Sequence, residues 1–178
     1  MKTVIIYRSK NGYTRQYAQW LAEALQCDIL ENEKLALERL LAYDIILYGG
    51  GIYAGRINGV NLITQNWDAL REKRLIVWAT GANPGRPEEM QAMWAKIFTQ
   101  EQFQMIRTYY LRGGFDYRKL NLADKALMGM LKCVLKRKKD LTEDDKGMLQ
   151  MYETPVDFSD RENIGPLVEY VRELQSQG

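Results

Sequence analysis

The chain contains no histidine. This excludes Ser-His-Asp and Cys-His catalysis and every imidazole metal site. Cysteine is scarce: Cys27 and Cys133 lie far apart in the chain and form no metal-ligand pair. They read as two reduced thiols, with a redox or disulfide role as the other reading. No apolar run approaches the ~18 residues that a membrane span requires. The amino terminus, with Val4, Ile5 and Ile6, has the character of a strand rather than of a long apolar leader. The expected location is therefore the cytoplasm. Formal net charge is only +2, too little to argue for nucleic acid. Any chemistry must come from carboxylates, Lys, Tyr, Cys or a cofactor.

What is present is enough apolar residue, 46% of 178, to build one full core. Residues 3–7 form a continuous apolar run, as in a strand covered on both faces. Tyr17, Ala18, Leu21, Ala22 and Leu25 then recur at helical spacing. Further strands are expected at Cys27–Leu30, Asp44–Tyr48, Leu75–Ala79 and Arg107–Leu111, and helices at 35–41, at 59–71, from Pro87 and from about Ser159. Strands alternating with helices imply a doubly wound α/β fold with five parallel strands in the order 2-1-3-4-5. No linker divides the chain, so residues 1–178 are read as one domain. A helical segment at about 117–150, after strand 5, exceeds what that fold needs.

In such a sheet ligands bind beyond the carboxyl ends of the strands. Three turns rich in Gly, Ser, Thr or Asn are expected on that edge. The first is Ser9-Lys10-Asn11-Gly12-Tyr13-Thr14. Backbone N–H groups in such a turn, with the following helix end, form a nest for one phosphate monoester. Neither G-x-x-x-x-G-K-[ST] nor G-x-G-x-x-G is present. The same residues also make an ordinary capped turn. The second turn, Gly49 to Arg56, includes Gly50, Gly51, Ile52, Tyr53 and Ala54, and the third includes Thr80, Gly81, Ala82 and Asn83. Each can be a plain surface loop or the bed of a flat heterocycle. Together the three describe a mononucleotide site.

The stretches "IIYRSKNGYTRQYA", "DIILYGGGIYAG" and "WATGANP" resemble the flavodoxin family. That resemblance implies a flavodoxin-like fold and FMN as cofactor. It places Ser9, Lys10, Asn11, Gly12, Tyr13 and Thr14 around the phosphate. Gly50, Gly51, Ile52, Tyr53, Ala54, Thr80, Gly81, Ala82 and Asn83 would face the isoalloxazine, with Gly113, Gly114, Phe115 and Asp116 near the end of strand 5. The segment "LRGGFDYRKLNLADKALMGMLKCVLK" resembles its counterpart in a subgroup that includes the bacterial quinone-dependent protoporphyrinogen oxidases. Two functions follow: a flavoprotein oxidoreductase passing electrons from a reduced substrate to a quinone-type or other acceptor, or an FMN electron shuttle serving a protein partner. A flavin-free module on the same fold is the third. Family shuttles are strongly acidic, and this chain is not. No protein acid–base residue is assigned, because the flavin carries the hard chemistry.

Residues 120–139 invite a separate expectation. Leu120, Ala123, Leu127, Met130, Leu131 and Val134 line one side of a helix that ends in Lys136-Arg137-Lys138-Lys139. Such a helix either folds onto its own core or borders the flavin site and meets a membrane surface, a quinone or a second subunit.

Overall fold

The computed structural model describes residues 1–53 and 55–177. Five parallel strands form its centre: β1 (Thr3–Arg8), β2 (Asp28–Glu31), β3 (Ile45–Tyr53), β4 (Arg74–Gly81) and β5 (Arg107–Arg112). Their spatial order is β2-β1-β3-β4-β5, as expected. The helices are α1 (Tyr13–Leu25), α2 (Leu37–Leu41), α3 (Asn61–Thr64), α4 (Trp67–Leu70), α5 (Pro87–Ile97), α6 (Gln100–Met105), α7 (Leu122–Lys136), α8 (Glu143–Met151) and α9 (Gly165–Ser176). On one face Tyr17 and Leu21 of α1 and Val171 of α9 pack on Ile5, Leu47 and Trp78. On the other, Ile63, Met93 and Trp94 pack on Ile6, Tyr48 and Val77. Both faces are covered, which is why β1 and β3 read as unbroken apolar runs.

The glycine run was expected in a loop, but Gly49, Gly50 and Gly51 lie inside β3, which continues to Tyr53. None of the three has positive φ. They are small because neighbours press on them. A Cβ on Gly49 would lie 2.0 Å from the Trp78 indole, and one on Gly50 would lie 2.5 Å from Ile57 and 2.6 Å from the Asn58 carbonyl. Residues Arg56–Ile57 fold back antiparallel on the end of β3 to make that second contact.

The single helix expected at 59–71 is two short ones. Asn66 breaks it at φ −107°, ψ 26°, and donates its side-chain amide to the Leu62 carbonyl. α6 was not expected; it starts at a capping box in which Thr99 and Gln102 satisfy each other's N–H groups. The segment after β5 is a helical hairpin, α7 then α8. Its two ends are joined by an antiparallel pair of two-residue strands, Gly114–Phe115 with Val156–Asp157.

Candidate functional site

β1 ends at Arg8, and the chain turns sharply: Ser9 Oγ accepts the Gly12 N–H at 3.1 Å. Gly12 has φ 95°, a conformation that glycine enters without steric cost. It is the N-cap of α1, and no side chain caps that helix. The first-turn N–H groups are therefore left to a ligand or to water. Asn11, beside them, is buried with its Oδ1 unpartnered, and it lines a cavity of about 570 Å³. That volume lies within the usual ~300–1,000 Å³ of small-molecule sites. An uncapped helix start at a cavity wall suits an anion, whereas the unpaired Asn11 Oδ1 is an acceptor and calls for a donor on the ligand.

Thr14 and Thr80 link the first and third turns. Their hydroxyls lie 2.7 Å apart, and both residues are buried. Gly51 sits against this pair: a Cβ there would be 3.1 Å from the Tyr53 ring and 3.5 Å from Thr14 Oγ1. At the third turn the Tyr110 hydroxyl is 2.8 Å from the Gly81 carbonyl and 2.6 Å from Asn83 Oδ1, so Gly81–Asn83 is held to β5. Gly114 has the Tyr13 ring directly over it, where a Cβ would come within 2.5 Å.

The cavity brings together Lys10, Asn11, Tyr13, Thr14, Gly51, Ile52, Tyr53, Thr80, Gly81, Ala82, Asn83, Gly114 and Phe115. The remaining candidates lie outside its wall. Ser9 and Gly12 shape the turn itself. Gly50 faces Ile57, and Gly113 is buried with its N–H on the Gly81 carbonyl. Asp116 is engaged elsewhere: it caps the turn Tyr117–Lys119 and accepts from the Arg118 guanidinium at 3.0 Å. That guanidinium holds its carboxyl below the usual carboxylate range. Ala54 falls outside the described residues.

The rest of the wall comes mostly from residues that the sequence does not single out; Leu131, on the apolar side of the helix that could border the flavin site, is the exception. Met128 and Leu131 of α7 and Gly147, Met148 and Met151 of α8 line it, with Tyr152, Arg86 and Arg112. The start of α8 carried a readable signal, because Thr142 and Asp145 form a capping box. The acidic run Glu143–Asp145 is the first turn of that helix. Arg86 clasps Asp144 through two hydrogen bonds, 2.5 and 3.0 Å, tying the third turn to the hairpin.

Lys10 connects the first turn to α7. Its Nζ is 2.5 Å from Asp124 Oδ1 and 4.7 Å from the centroid of the Tyr53 ring. The buried Asp124 Oδ2 has no partner. Burial, with Asp124 adding to it, pushes the Tyr53 hydroxyl above its ordinary pKa. Burial does the same for Tyr13 and Tyr152. All three hydroxyls stay protonated at neutral pH; Tyr13 donates to the Val156 carbonyl and Tyr152 to the Met128 carbonyl, which leaves Tyr53 to donate to a ligand.

Residues 4–142 match the family model described as the flavodoxin domain. The chain belongs to the flavodoxin-domain family. No curated protein matches it. Solved structures similar to it include oxidised flavodoxin 2 from Bacillus cereus, with 21% identity, a TM-score of 0.46, and coverage of 63% of this chain and 84% of that one. The Trp repressor binding protein from Bacillus subtilis shows 17% identity and a TM-score of 0.48 over 63% and 83%. A flavoprotein from Lactobacillus acidophilus, solved in complex with FMN, shows 17% identity and a TM-score of 0.40 over 62% and 91%.

The cofactor of this flavodoxin domain is FMN, and the residues present fit it. One uncapped helix start serves a single phosphate, the unpaired Asn11 Oδ1 next to it can accept from a ligand hydroxyl, and Gly51 and Tyr53 share the cavity wall where a flat ring would lie.

Proposed function

We propose that this protein is an FMN-dependent oxidoreductase that takes electrons from a reduced small molecule and passes them to a quinone-type or other acceptor. The observation that carries this reading is the composition of the cavity wall. Beyond the three turns the wall continues into an apolar chamber formed by Met128, Leu131, Met148, Met151, Phe115 and Tyr152. An electron shuttle presents its flavin edge to a protein partner, whereas here a helical hairpin borders that edge. A flat, mostly apolar substrate suits the chamber, with Arg112 available to orient a polar end. The likeness of residues 111–136 to the quinone-dependent protoporphyrinogen oxidases supports the same substrate class.

Bound FMN would supply the redox chemistry. The chain's own residues bind, orient and shield. The start of α1 and Thr14 would hold the phosphate, with Asn11 beside them. Gly51 and Gly81 let the backbone approach the ring, and the hairpin excludes water. The protonated Tyr53 hydroxyl can donate a hydrogen bond without supplying charge, while the Tyr152 hydroxyl is held by the Met128 carbonyl.

The test is an absorption spectrum of the purified protein, followed by steady-state turnover with a water-soluble quinone and no protein partner. Flavin bands with turnover are expected. Met148→Glu should abolish turnover while FMN affinity stays within twofold of wild type. Flavin bands without turnover, in the presence of a range of reduced donors, would leave the shuttle reading in its place.

A further inference from the structure

α7 carries its wider apolar face outward, unlike an ordinary surface helix. Its inward side is mixed: Asp124 reaches Lys10, Lys132 lies over the Tyr152 ring near Glu153, and Met128 lines the cavity. Its outward side is apolar. Leu122, Ala123, Ala126, Leu127, Met130, Leu131, Cys133 and Val134 are all exposed. At 3.6 residues per turn they occupy one continuous half of the helix surface. Leu122 is 86% exposed, Val134 67% and Met130 63%. A contiguous exposed apolar face of this kind marks an interaction surface.

The charge around that face says what covers it. Residues 117–139 hold eight Lys or Arg and one Asp, a formal +7 in a chain whose total is +2. The remainder of the chain is therefore −5. The single Asp is the buried Asp124, already paired. Lys136, Arg137 and Lys139 pair with no carboxylate among the described residues, while Lys138 is held by Asp145. The acids that follow are mostly engaged: Glu143 by Lys146 and Asp144 by Arg86.

A second copy of the chain is a poor occupant. Antiparallel pairing of two α7 helices would set Lys136–Lys139 against Arg118 and Lys119 of the copy, and parallel pairing would set like clusters together. A protein interface also needs about one hydrogen bond per 100–200 Å², and this face offers only the Cys133 thiol. We infer that the outward face of α7 docks on an anionic lipid surface, with the helix in the plane of the interface and its basic end at the headgroups. The helix has 15 residues and cannot cross the bilayer. The inference stands independently of what fills the cavity.

The test uses the full-length protein and vesicles of phosphatidylcholine alone, or of phosphatidylcholine mixed with phosphatidylglycerol. Sedimentation with the anionic vesicles at low salt, lost at high salt, is expected. Replacing Lys136, Arg137 and Lys139 together by Glu removes three cations at about fivefold each, so partitioning should fall by roughly a hundredfold or more. Met130→Gln with Val134→Gln should weaken binding without changing the salt slope. A polarity-sensitive fluorophore on the exposed Cys133 should shift to the blue on binding. These side chains are exposed, so unchanged circular dichroism is expected and confirms folding. Three results would overturn the inference: no binding to anionic vesicles at low salt, binding that survives the Glu replacements, or a concentration-dependent dimer that Met130→Gln dissolves.

Discussion

Replacing Gly49 and Gly51 separately by Ala should divide fold from function two residues apart in one strand. Neither residue has positive φ, so both substitutions are tolerated by the backbone. Their surroundings differ. At Gly49 the new methyl would lie 2.0, 2.2 and 2.5 Å from three atoms of the Trp78 indole. Trp78 is fully buried beneath Tyr17, at 6.3 Å between ring centroids, and has nowhere to move. Overpacking of this kind costs about 3 kcal/mol. For a chain of this length that lowers Tm by roughly 6–12 °C. At Gly51 the nearest atom is 3.1 Å away and belongs to Tyr53, a half-buried side chain that can rotate. Stability should change by less than about 1 kcal/mol, because the reduced entropy of the unfolded chain offsets the contact. The methyl nonetheless intrudes beside Thr14 Oγ1 and narrows the bed for the ring. FMN affinity should fall at least tenfold, equivalent to about 1.4 kcal/mol. Scanning calorimetry and fluorescence titration with FMN give the two readouts. Equal losses of Tm in the two variants, or wild-type FMN affinity in Gly51→Ala, would refute the assignment of these glycines to different jobs.

Further outcomes follow from the same contacts. Thr14→Val leaves the buried Thr80 hydroxyl without its 2.7 Å partner; denaturant melts should show a loss of about 1–3 kcal/mol, together with weaker FMN binding. Asp124→Asn breaks the pair that ties α7 to the first turn. Lys10 keeps some access to water, so the loss should be about 1–2 kcal/mol rather than the ~3–5 of a wholly buried pair. Limited proteolysis should then cut the hairpin sooner than in wild type. Burial first, and then Asp28, pushes the Cys27 thiol up to about 11 from 9.0. The protonated form is favoured by folding, so this contribution is full below pH 9 and is lost as pH rises through about 11. At pH 8, alkylation followed by mass spectrometry should find the exposed Cys133 modified well before Cys27.

The sheet was legible because its signals are local and redundant. The runs at Val4–Tyr7, Ile45–Tyr48 and Leu75–Ala79 are apolar at every step, and only strands covered on both faces need that. The first turn was legible because Gly12 and its hydroxyl neighbours lie within one stretch of chain. The glycine run was misplaced because a glycine in a strand and a glycine in a loop look alike until Trp78 and Asn58 arrive from elsewhere. The helix expected at 59–71 failed at Asn66, whose side chain takes a backbone carbonyl of its own helix. The hairpin's share of the cavity was hidden for a further reason. Periodicity identifies the apolar side of α7, but that side faces mostly outward, and the cavity takes only Leu131 from its edge, with Met128 from the opposite side. No one-dimensional pattern tells which side of a helix the rest of the chain will cover.

The clamp at Gly114–Phe115 and Val156–Asp157 means that residues 116–155 leave the domain and rejoin it at a single point. The registers of β1 to β5 do not pass through that segment. Because closure entropy grows only slowly with loop length, the hairpin can change in length without disturbing the sheet, while Lys10–Asp124 and Arg86–Asp144 keep it tied to the turns at the sheet edge. Length changes in this segment would therefore alter what covers the cavity before they alter the sheet beneath it.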